Sequence, residues 1–128
     1  MNYTTDVGQR GLETEETAQL IASDKVEGTA VYDRNGNHLG QVHHLMIDKH
    51  TGQIAYAVMS FGGFLGIGEN FYPLPWKVLN YGPNLGGYIV DLDRNRLDKA
   101  PSFESDNMPD WSDRRYTGRI DEYWLPPV

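Results

Sequence analysis

The sequence lacks cysteine entirely among its 128 residues. This absence excludes disulfide bonds, thiolate chemistry and zinc or iron–sulfur centres held by cysteine. The sequence also has no apolar run near the ~18 residues of a membrane-spanning helix, and its first residues lack the apolar stretch of a secretory signal. We therefore expect a cytoplasmic protein without membrane insertion.

Basic residues are scarce in this chain. It has 11 Lys and Arg against 18 Asp and Glu, which gives a formal net charge of −7. Proteins that bind nucleic acids need a field of positive charge to neutralise phosphates. The composition therefore argues against a nucleic-acid partner. Hydrophobic residues make up 39% of the chain, enough for one folded domain of this length.

Turn signals divide the middle of the chain into short strand-like segments. Asn35-Gly36 supplies the positive φ angles of a tight hairpin and predicts strands at about 25–32 and 38–48. Further strands are predicted at about 53–61, 71–76, 78–81 and 87–93. Short strands at this spacing, with glycine at the bends, are typical of an all-β barrel or sandwich.

The predicted third strand, 53–61, is apolar on both of its faces. One face carries Ile54, Tyr56 and Val58, and the other carries Ala55, Ala57, Met59 and Phe61. Because successive side chains of a strand point to opposite faces, such a strand is central in its sheet or covered on its outer side.

Several motifs follow one another between residues 22 and 100. They are Leu39-Gly40-Gln41-Val42, Ile47-Asp48, Thr51-Gly52, the glycine-rich loop 62–68 and the strand Tyr72-Pro73-Leu74-Pro75-Trp76. This succession resembles the PRC-barrel domain family. The resemblance implies a small, strongly bent β-barrel. It also implies docking against other proteins, as in the reaction-centre H-subunit domain and the C-terminal domain of a ribosome maturation factor. His44 departs from the family pattern, in which an acidic residue is common at this position.

Three zones follow from these patterns: a flexible acidic leader at 1–20, a PRC-barrel domain at 21–100 and an aromatic C-terminal arm at 101–128. In the arm, Tyr116, Ile120, Tyr123 and Trp124 recur at helical spacing and predict a short helix. The apolar stripe of this helix has to pack against another surface to be buried. The sequence leaves three possibilities open, namely packing on its own barrel, crossing to a second subunit or folding on a different partner.

The four histidines give no strong indication of a metal site. His43 and His44 are adjacent on a predicted strand, so they are expected to face opposite sides and not to bind one ion together. Whichever of the two points inward is a candidate pH-sensitive group. The sequence also lacks a G-x-S-x-G nucleophile motif. We therefore predict no cofactor, no metal and no enzymatic activity.

The predicted function is a non-catalytic docking module that self-associates, with a second copy and an unidentified protein as partners. The loop tip Phe64, Leu65 and Ile67 is apolar, and apolar side chains exposed on a loop tip are costly. The predicted contact residues are Phe64, Leu65, Ile67, Trp76, Trp111, Tyr116 and Trp124. The alternative is a sensor of a small ligand or metal built on the same barrel.

Overall fold

The computed structural model describes residues 17–61, 70–91 and 94–125. Within these ranges the strands are β1 (Ala30–Tyr32), β2 (His38–Ile47), β3 (Ile54–Phe61), β4 (Asn70–Pro75), β5 (Leu79–Gly82), β6 (Gly87–Val90) and β7 (Phe103–Glu104). The helices are α1 (Ser23–Val26), α2 (Arg94–Leu97) and α3 (Arg114–Trp124), and a 3₁₀ turn covers Trp76–Val78.

The seven described strands form one sheet in the order β5-β6-β1-β2-β3-β4-β7. All pairings are antiparallel except that of β1 with β6. The sheet is strongly curled but not closed. The prediction of a bent, all-β, barrel-like fold with a short C-terminal helix is therefore confirmed.

The first strand is shorter than the predicted range 25–32, because its first part forms the helical turn α1. Val26 of this turn is 2% exposed and belongs to the core. The Thr29 hydroxyl donates a hydrogen bond to the Lys25 carbonyl at 2.7 Å, which closes the turn. Gly28 then adopts a positive φ of 87°, so the extended backbone begins only at β1.

The first hairpin forms at Asn35-Gly36 as predicted. Gly36 has a φ of 84°, and the buried carboxylate of Asp33 organises the turn from inside. Asp33 Oδ1 accepts hydrogen bonds from the backbone N–H groups of Asn35 and Asn37, both at 2.9 Å. An Asp in this position mimics a backbone turn, which favours the tight reversal between β1 and β2.

Strand β3 is central and is covered on both faces, as its apolar pattern predicts. Ala57 and Met59 lie in the main core inside the curled sheet. Val58 lies on the opposite face in a second cluster with Phe71 and Phe103, against which Met46 and Trp111 pack. We call this second group the outer cluster. Phe103 and Trp111 belong to the C-terminal arm, so the chain covers the outer face of β3 with its own arm.

The C-terminal arm also closes the main core. Helix α3 begins after Asp113, whose side chain accepts a hydrogen bond from the Arg115 N–H at 2.9 Å. Ile120 is fully buried, and both Ile120 and Trp124 belong to the same core as Val31 and Leu74 of the sheet. Of the three arrangements left open by the sequence, the structure shows the arm packed on its own barrel.

Candidate functional site

An aromatic groove lies at the β5 end of the sheet. Its cavity has a volume of about 270 Å³. The lining residues are Thr17, Ala18, Gln19, Leu20, Ile21, Trp76, Leu79, Tyr81 and Tyr88. The 3₁₀ turn after β4 presents Trp76, β5 presents Leu79 and Tyr81, and β6 presents Tyr88. Strand pairing therefore brings together aromatic residues that the chain holds on three separate elements.

Three rings form a continuous row in this groove. Trp76 contacts Tyr88 edge to face with ring centroids 5.4 Å apart, and Tyr81 contacts Tyr88 in the same manner at 5.3 Å. Tyr88 is buried, whereas Trp76 is half-buried and Tyr81 is exposed. Edge-to-face aromatic pairs stabilise each other, so Tyr88 serves as a fixed base for the two outer rings.

The described lining of the groove carries no formal charge, although the protein is strongly acidic. None of the described residues that line it carries a formal charge. Leu20 stands at the groove with 73% of its surface exposed, the largest exposure among the described large hydrophobic residues. Depletion of charge together with exposed aromatic and aliphatic side chains is the composition of the centre of a protein–protein interface.

A second groove of about 710 Å³ also includes Trp76 in its lining. Its polar residues include Asp48 on the β2–β3 turn, Lys77 beside Trp76, and Tyr56 on β3. We call it the polar groove. The Tyr56 hydroxyl donates a hydrogen bond to Asp121 Oδ1 at 3.1 Å. Desolvation, and then the nearby Asp121 carboxylate, raise the pKa of Tyr56 to about 12.

The predicted contact residues of the arm are engaged within their own chain. Trp111 is half-buried, and its ring lies 5.6 Å from Tyr56, 5.7 Å from Tyr116 and 6.4 Å from Phe103. Tyr116 is half-buried as well, and Trp124 is only 7% exposed. These side chains hold the arm on the barrel, and Trp124 has little surface left for a partner.

The remaining predicted contacts fall in two places. Trp76 lies between the aromatic and polar grooves and lines both. Phe64, Leu65 and Ile67 lie outside the described residues. The structure therefore brings Trp76 together with residues that the sequence did not single out, and does not bring it together with the arm residues Trp111 and Tyr116 in either groove.

Arg96 links α2 to the end of the C-terminal helix. Its guanidinium donates a hydrogen bond to the Tyr123 carbonyl at 2.7 Å, and it lies over the rings of Tyr123 and Trp124 at 5.0 and 5.5 Å. In return, the Tyr123 hydroxyl donates to the Arg96 carbonyl. Because these contacts join residues on both sides of position 101, the predicted barrel and arm are held together by specific polar bonds as well as by apolar packing.

The prediction that His43 and His44 face opposite sides is wrong. The register between β2 and β3 shifts between Val42 and His44, so that Val42 pairs with Met59 and His44 pairs with Val58. His43 is the extra residue of a β-bulge, which re-aims the side chains that follow it. As a result His43 Nδ1 lies 2.8 Å from His44 Nδ1.

The geometry around the bulged pair does not indicate a metal site in the part of the chain that the structure describes. Within the residues that the structure describes, no group of three or more His, Cys, Asp or Glu side chains is placed to hold a metal ion. Protein metal sites usually gather at least three such ligands.

The lining of the aromatic groove contains residues that sequence reasoning missed, chiefly Leu20, Tyr81 and Tyr88. The sequence pattern places Leu20 in the leader and the two tyrosines in strands, and it indicates no role for any of the three. The available signal was the alternation of Leu79 with Tyr81 on β5. It places both side chains on one face, but the pairing of β5 with β6 is needed to bring Tyr88 beside them.

The fold and this surface define a small, strongly curled β-barrel domain carrying an aromatic groove, in which a C-terminal arm completes the core. None of the helices in the described ranges is long and apolar enough to cross a membrane. The PRC-barrel domain family model matches residues 19–97, which is more than half of the chain. The protein belongs to the PRC-barrel family. No curated protein matches the chain.

Proposed function

We propose that this protein is a non-catalytic docking module of the cytoplasm that associates with a second copy of itself through the aromatic groove. The observation that carries the proposal is a groove whose described lining has no charged residue and exposes Leu20 and Tyr81, on a chain with a net charge of −7. Two copies that meet at a neutral surface bury apolar area without bringing carboxylates directly together.

Symmetry favours a surface of this kind. In a two-fold dimer the same patch lies on both sides of the interface, so each side chain of one copy meets the patch of the other. A charged patch would then meet its own charge. Trp76 and Tyr81 supply rigid aromatic area around the groove, and Trp and Tyr are the residues that most often carry binding energy in interfaces.

The other predicted contacts take different parts in this proposal. The loop-tip residues Phe64, Leu65 and Ile67 remain proposed contacts, because apolar side chains at a loop tip favour cover by a partner. Trp111 and Tyr116 keep partial exposure on the arm and are proposed as contacts of an additional protein partner.

Leu20→Glu tests the groove directly. Leu20 is largely exposed, so glutamate at this position is tolerated in the monomer but places like charges at the proposed interface. Met108→Glu is the matched control, because Met108 is 61% exposed and is absent from the lining of both grooves. Both variants add the same charge. Sedimentation equilibrium would give the dissociation constant of each.

We expect Leu20→Glu to weaken self-association at least tenfold, which corresponds to ~1.4 kcal/mol, whereas Met108→Glu leaves it close to wild type. Thermal unfolding of both variants should stay near that of the wild type and exclude misfolding as the cause. Equal dissociation constants for the two variants would remove the groove from the interface.

The polar groove supports a second candidate function, the binding of a small ligand. Its volume of about 710 Å³ lies in the range of ligand pockets, and Asp48, Lys77 and Asp121 offer charges of both signs. A bound ligand stabilises the native state by mass action. A thermal-shift panel of nucleotides and divalent metals therefore tests this alternative, and an unchanged melting temperature throughout would count against it.

A further inference from the structure

The His43–His44 pair is unusual because two imidazole nitrogens face each other. The two Nδ1 atoms are 2.8 Å apart, and the ring planes are inclined by 80°. At this separation one nitrogen must donate a proton and the other must accept it, since two bare nitrogens or two N–H groups repel each other. The contact thus requires a particular distribution of protons between the rings.

The contact between the two Nδ1 atoms forms only in certain protonation states of the rings. Two neutral rings form it when one carries its proton on Nδ1 and the other carries it on Nε2. A pair with one added proton also forms it, with the imidazolium as donor and the neutral ring as acceptor. With two added protons both Nδ1 atoms are donors and both rings are positive. The contact cannot persist in the doubly protonated state.

The pair is joined by aromatic contacts to the edge strand of the arm. His43 packs edge to face on Phe71, with ring centroids 5.0 Å apart. Phe71 stacks on Phe103 at 5.4 Å, and Phe103 contacts Trp111 at 6.4 Å. A continuous row of rings therefore runs from the bulge of β2 to the start of the arm.

Strand β7 depends on this row more than on its backbone pairing. It has two residues, which pair with β4 as Phe103 with Phe71 and Glu104 with Asn70. Such a short edge strand has few ladder hydrogen bonds, and its hold comes mainly from the packing of its buried residue. Phe103 is that residue, and the ring beneath it is the one that His43 contacts.

We propose that the His43–His44 pair is a proton-sensitive contact that holds β7 and the start of the arm in place near neutral pH and releases them on acidification. The second proton separates the two rings and withdraws His43 from Phe71. The outer cluster is then exposed beneath a loosened β7. This inference does not depend on what binds the aromatic groove.

The charged surroundings agree with this direction. Partial burial, and then the proximity of His43, lower the pKa of His44, and these two causes outweigh the carboxylate of Glu27, which acts in the opposite direction. The neighbouring strands contribute Val58 and Phe71, which do not titrate. On β7 the ionisable side chain is Glu104, which is exposed and pairs in register with Asn70.

The direction of the pH dependence follows from the linkage between proton binding and folding. Because the pKa of His44 is lower in the folded than in the unfolded chain, the unfolded or released form takes up the proton more readily. The paired form is therefore favoured above the unfolded value of about 6.5, and it loses its advantage as the pH falls through that value and below.

Two measurements on the 128-residue protein test the proposal together. Imidazole ¹⁵N chemical shifts follow the protonation of each histidine, and hydrogen exchange follows the backbone amides of β7. Both are recorded between pH 7.5 and pH 4.5, a window chosen to bracket the histidine pKa of about 6.5. The variants are His43→Gln and His44→Gln, with His50→Gln as the matched control on the exposed β2–β3 turn.

We expect the two rings of the pair to titrate in two coupled steps in the wild type, and the β7 amides to exchange several-fold faster at the acid end after correction for intrinsic rates. Glutamine offers both a donor and an acceptor, so either Gln variant can keep a contact with the remaining ring in both of its charge states. The acid-dependent exchange should vanish in both variants and persist in His50→Gln.

Two results would overturn the proposal. Independent titration of His43 and His44, each at the ordinary histidine value, would show that the rings do not share a proton. Acid-dependent exchange of β7 that is the same in wild type and in both Gln variants would show that the arm responds to other groups.

Discussion

Asp33 shows how a single buried side chain fixes the geometry of the first hairpin. Its carboxylate is 2% exposed, and it accepts hydrogen bonds from two backbone N–H groups and from the Asn37 side-chain amide. Buried carboxylates are tolerated only when such bonds compensate for the lost hydration. The turn sequence predicts the hairpin, whereas the inward direction of Asp33 follows only from the structure.

Asp33→Ala should lower the free energy of unfolding by ~1–3 kcal/mol, because the backbone N–H groups of Asn35 and Asn37 lose a charged hydrogen-bond acceptor. Urea denaturation would measure the change. Asp33→Asn is the matched control, since it removes the charge but keeps one oxygen at the site, and a smaller loss is expected. Equal losses in both variants would show that the charge, and not the backbone hydrogen bonds, stabilises the turn.

The raised pKa of Tyr56 predicts that the folded state loses stability at alkaline pH. Its pKa is about 12 in the folded chain against about 10 in an unfolded one, because burial and the Asp121 carboxylate oppose ionisation. The folded state therefore resists losing the phenolic proton. The stability that this provides is fully present below about pH 10 and decreases as the pH rises toward 12.

The phenolate absorbance and the urea midpoint, followed from pH 9 to pH 12, check this effect, with the range set by the ordinary tyrosine pKa of about 10. Tyr56→Phe should reduce the alkaline loss of stability. Asp121→Asn should bring the pKa of Tyr56 back toward its ordinary value, since the amide keeps an acceptor but lacks the charge. An alkaline loss in Tyr56→Phe as large as in the wild type would contradict the assignment.

At the scale of elements, two glycines illustrate opposite demands of the fold. A Cβ at Gly40 on β2 would lie 2.1 Å from the carbonyl oxygen of Ser60 on β3, so no side chain fits between these strands. A Cβ at Gly118 in α3 would meet nothing within 4 Å. Gly40 is required by the close approach of backbone, whereas Gly118 only weakens its helix.

Gly118→Ala should therefore raise the free energy of unfolding by ~0.5–1 kcal/mol, through the higher helix propensity of alanine. Gly40→Ala is the contrasting variant and should be strongly destabilising, because it separates β2 from β3. Thermal and urea unfolding of the two proteins measure both effects. A destabilising Gly118→Ala would mean that α3 is not helical through its centre in solution.

The elements also show where sequence reasoning reaches its limit. Local turn chemistry predicts the first hairpin, and the two-sided apolar pattern predicts that β3 is covered on both faces. The bulge at His43 is different, because its position appears only in the pairing of β2 with β3, which the pattern of β2 alone does not specify. The extra residue of the bulge places His43 and His44 in contact, whereas regular strand alternation predicts that they face opposite sides.

At the scale of the whole molecule, the family and fold were predictable because the PRC-barrel motifs occupy most of residues 22–100. The placement of the arm was not predictable. An apolar stripe on a helix indicates that it needs cover but does not say which surface provides it. The aromatic groove was hidden for a related reason, since Leu20, Trp76 and Tyr88 are distant in sequence and meet only in the curled sheet.

This whole-molecule arrangement changes what is left for a partner. The arm covers the outer face of β3. The apolar side chains of that face are therefore buried without a second subunit. Exposed apolar area remains at the aromatic groove, around Leu20 and Tyr81. The self-association that we propose therefore rests on this groove and on the predicted contacts Phe64, Leu65 and Ile67.

The molar mass of the 128-residue protein in solution tests the central claim most directly. Light scattering on a sizing column, repeated over a series of protein concentrations, distinguishes the 14.5 kDa chain from a species of twice that mass. We predict a dimer that dissociates on dilution and that Leu20→Glu converts to the monomer. A mass of one chain at every concentration would contradict self-association through the groove.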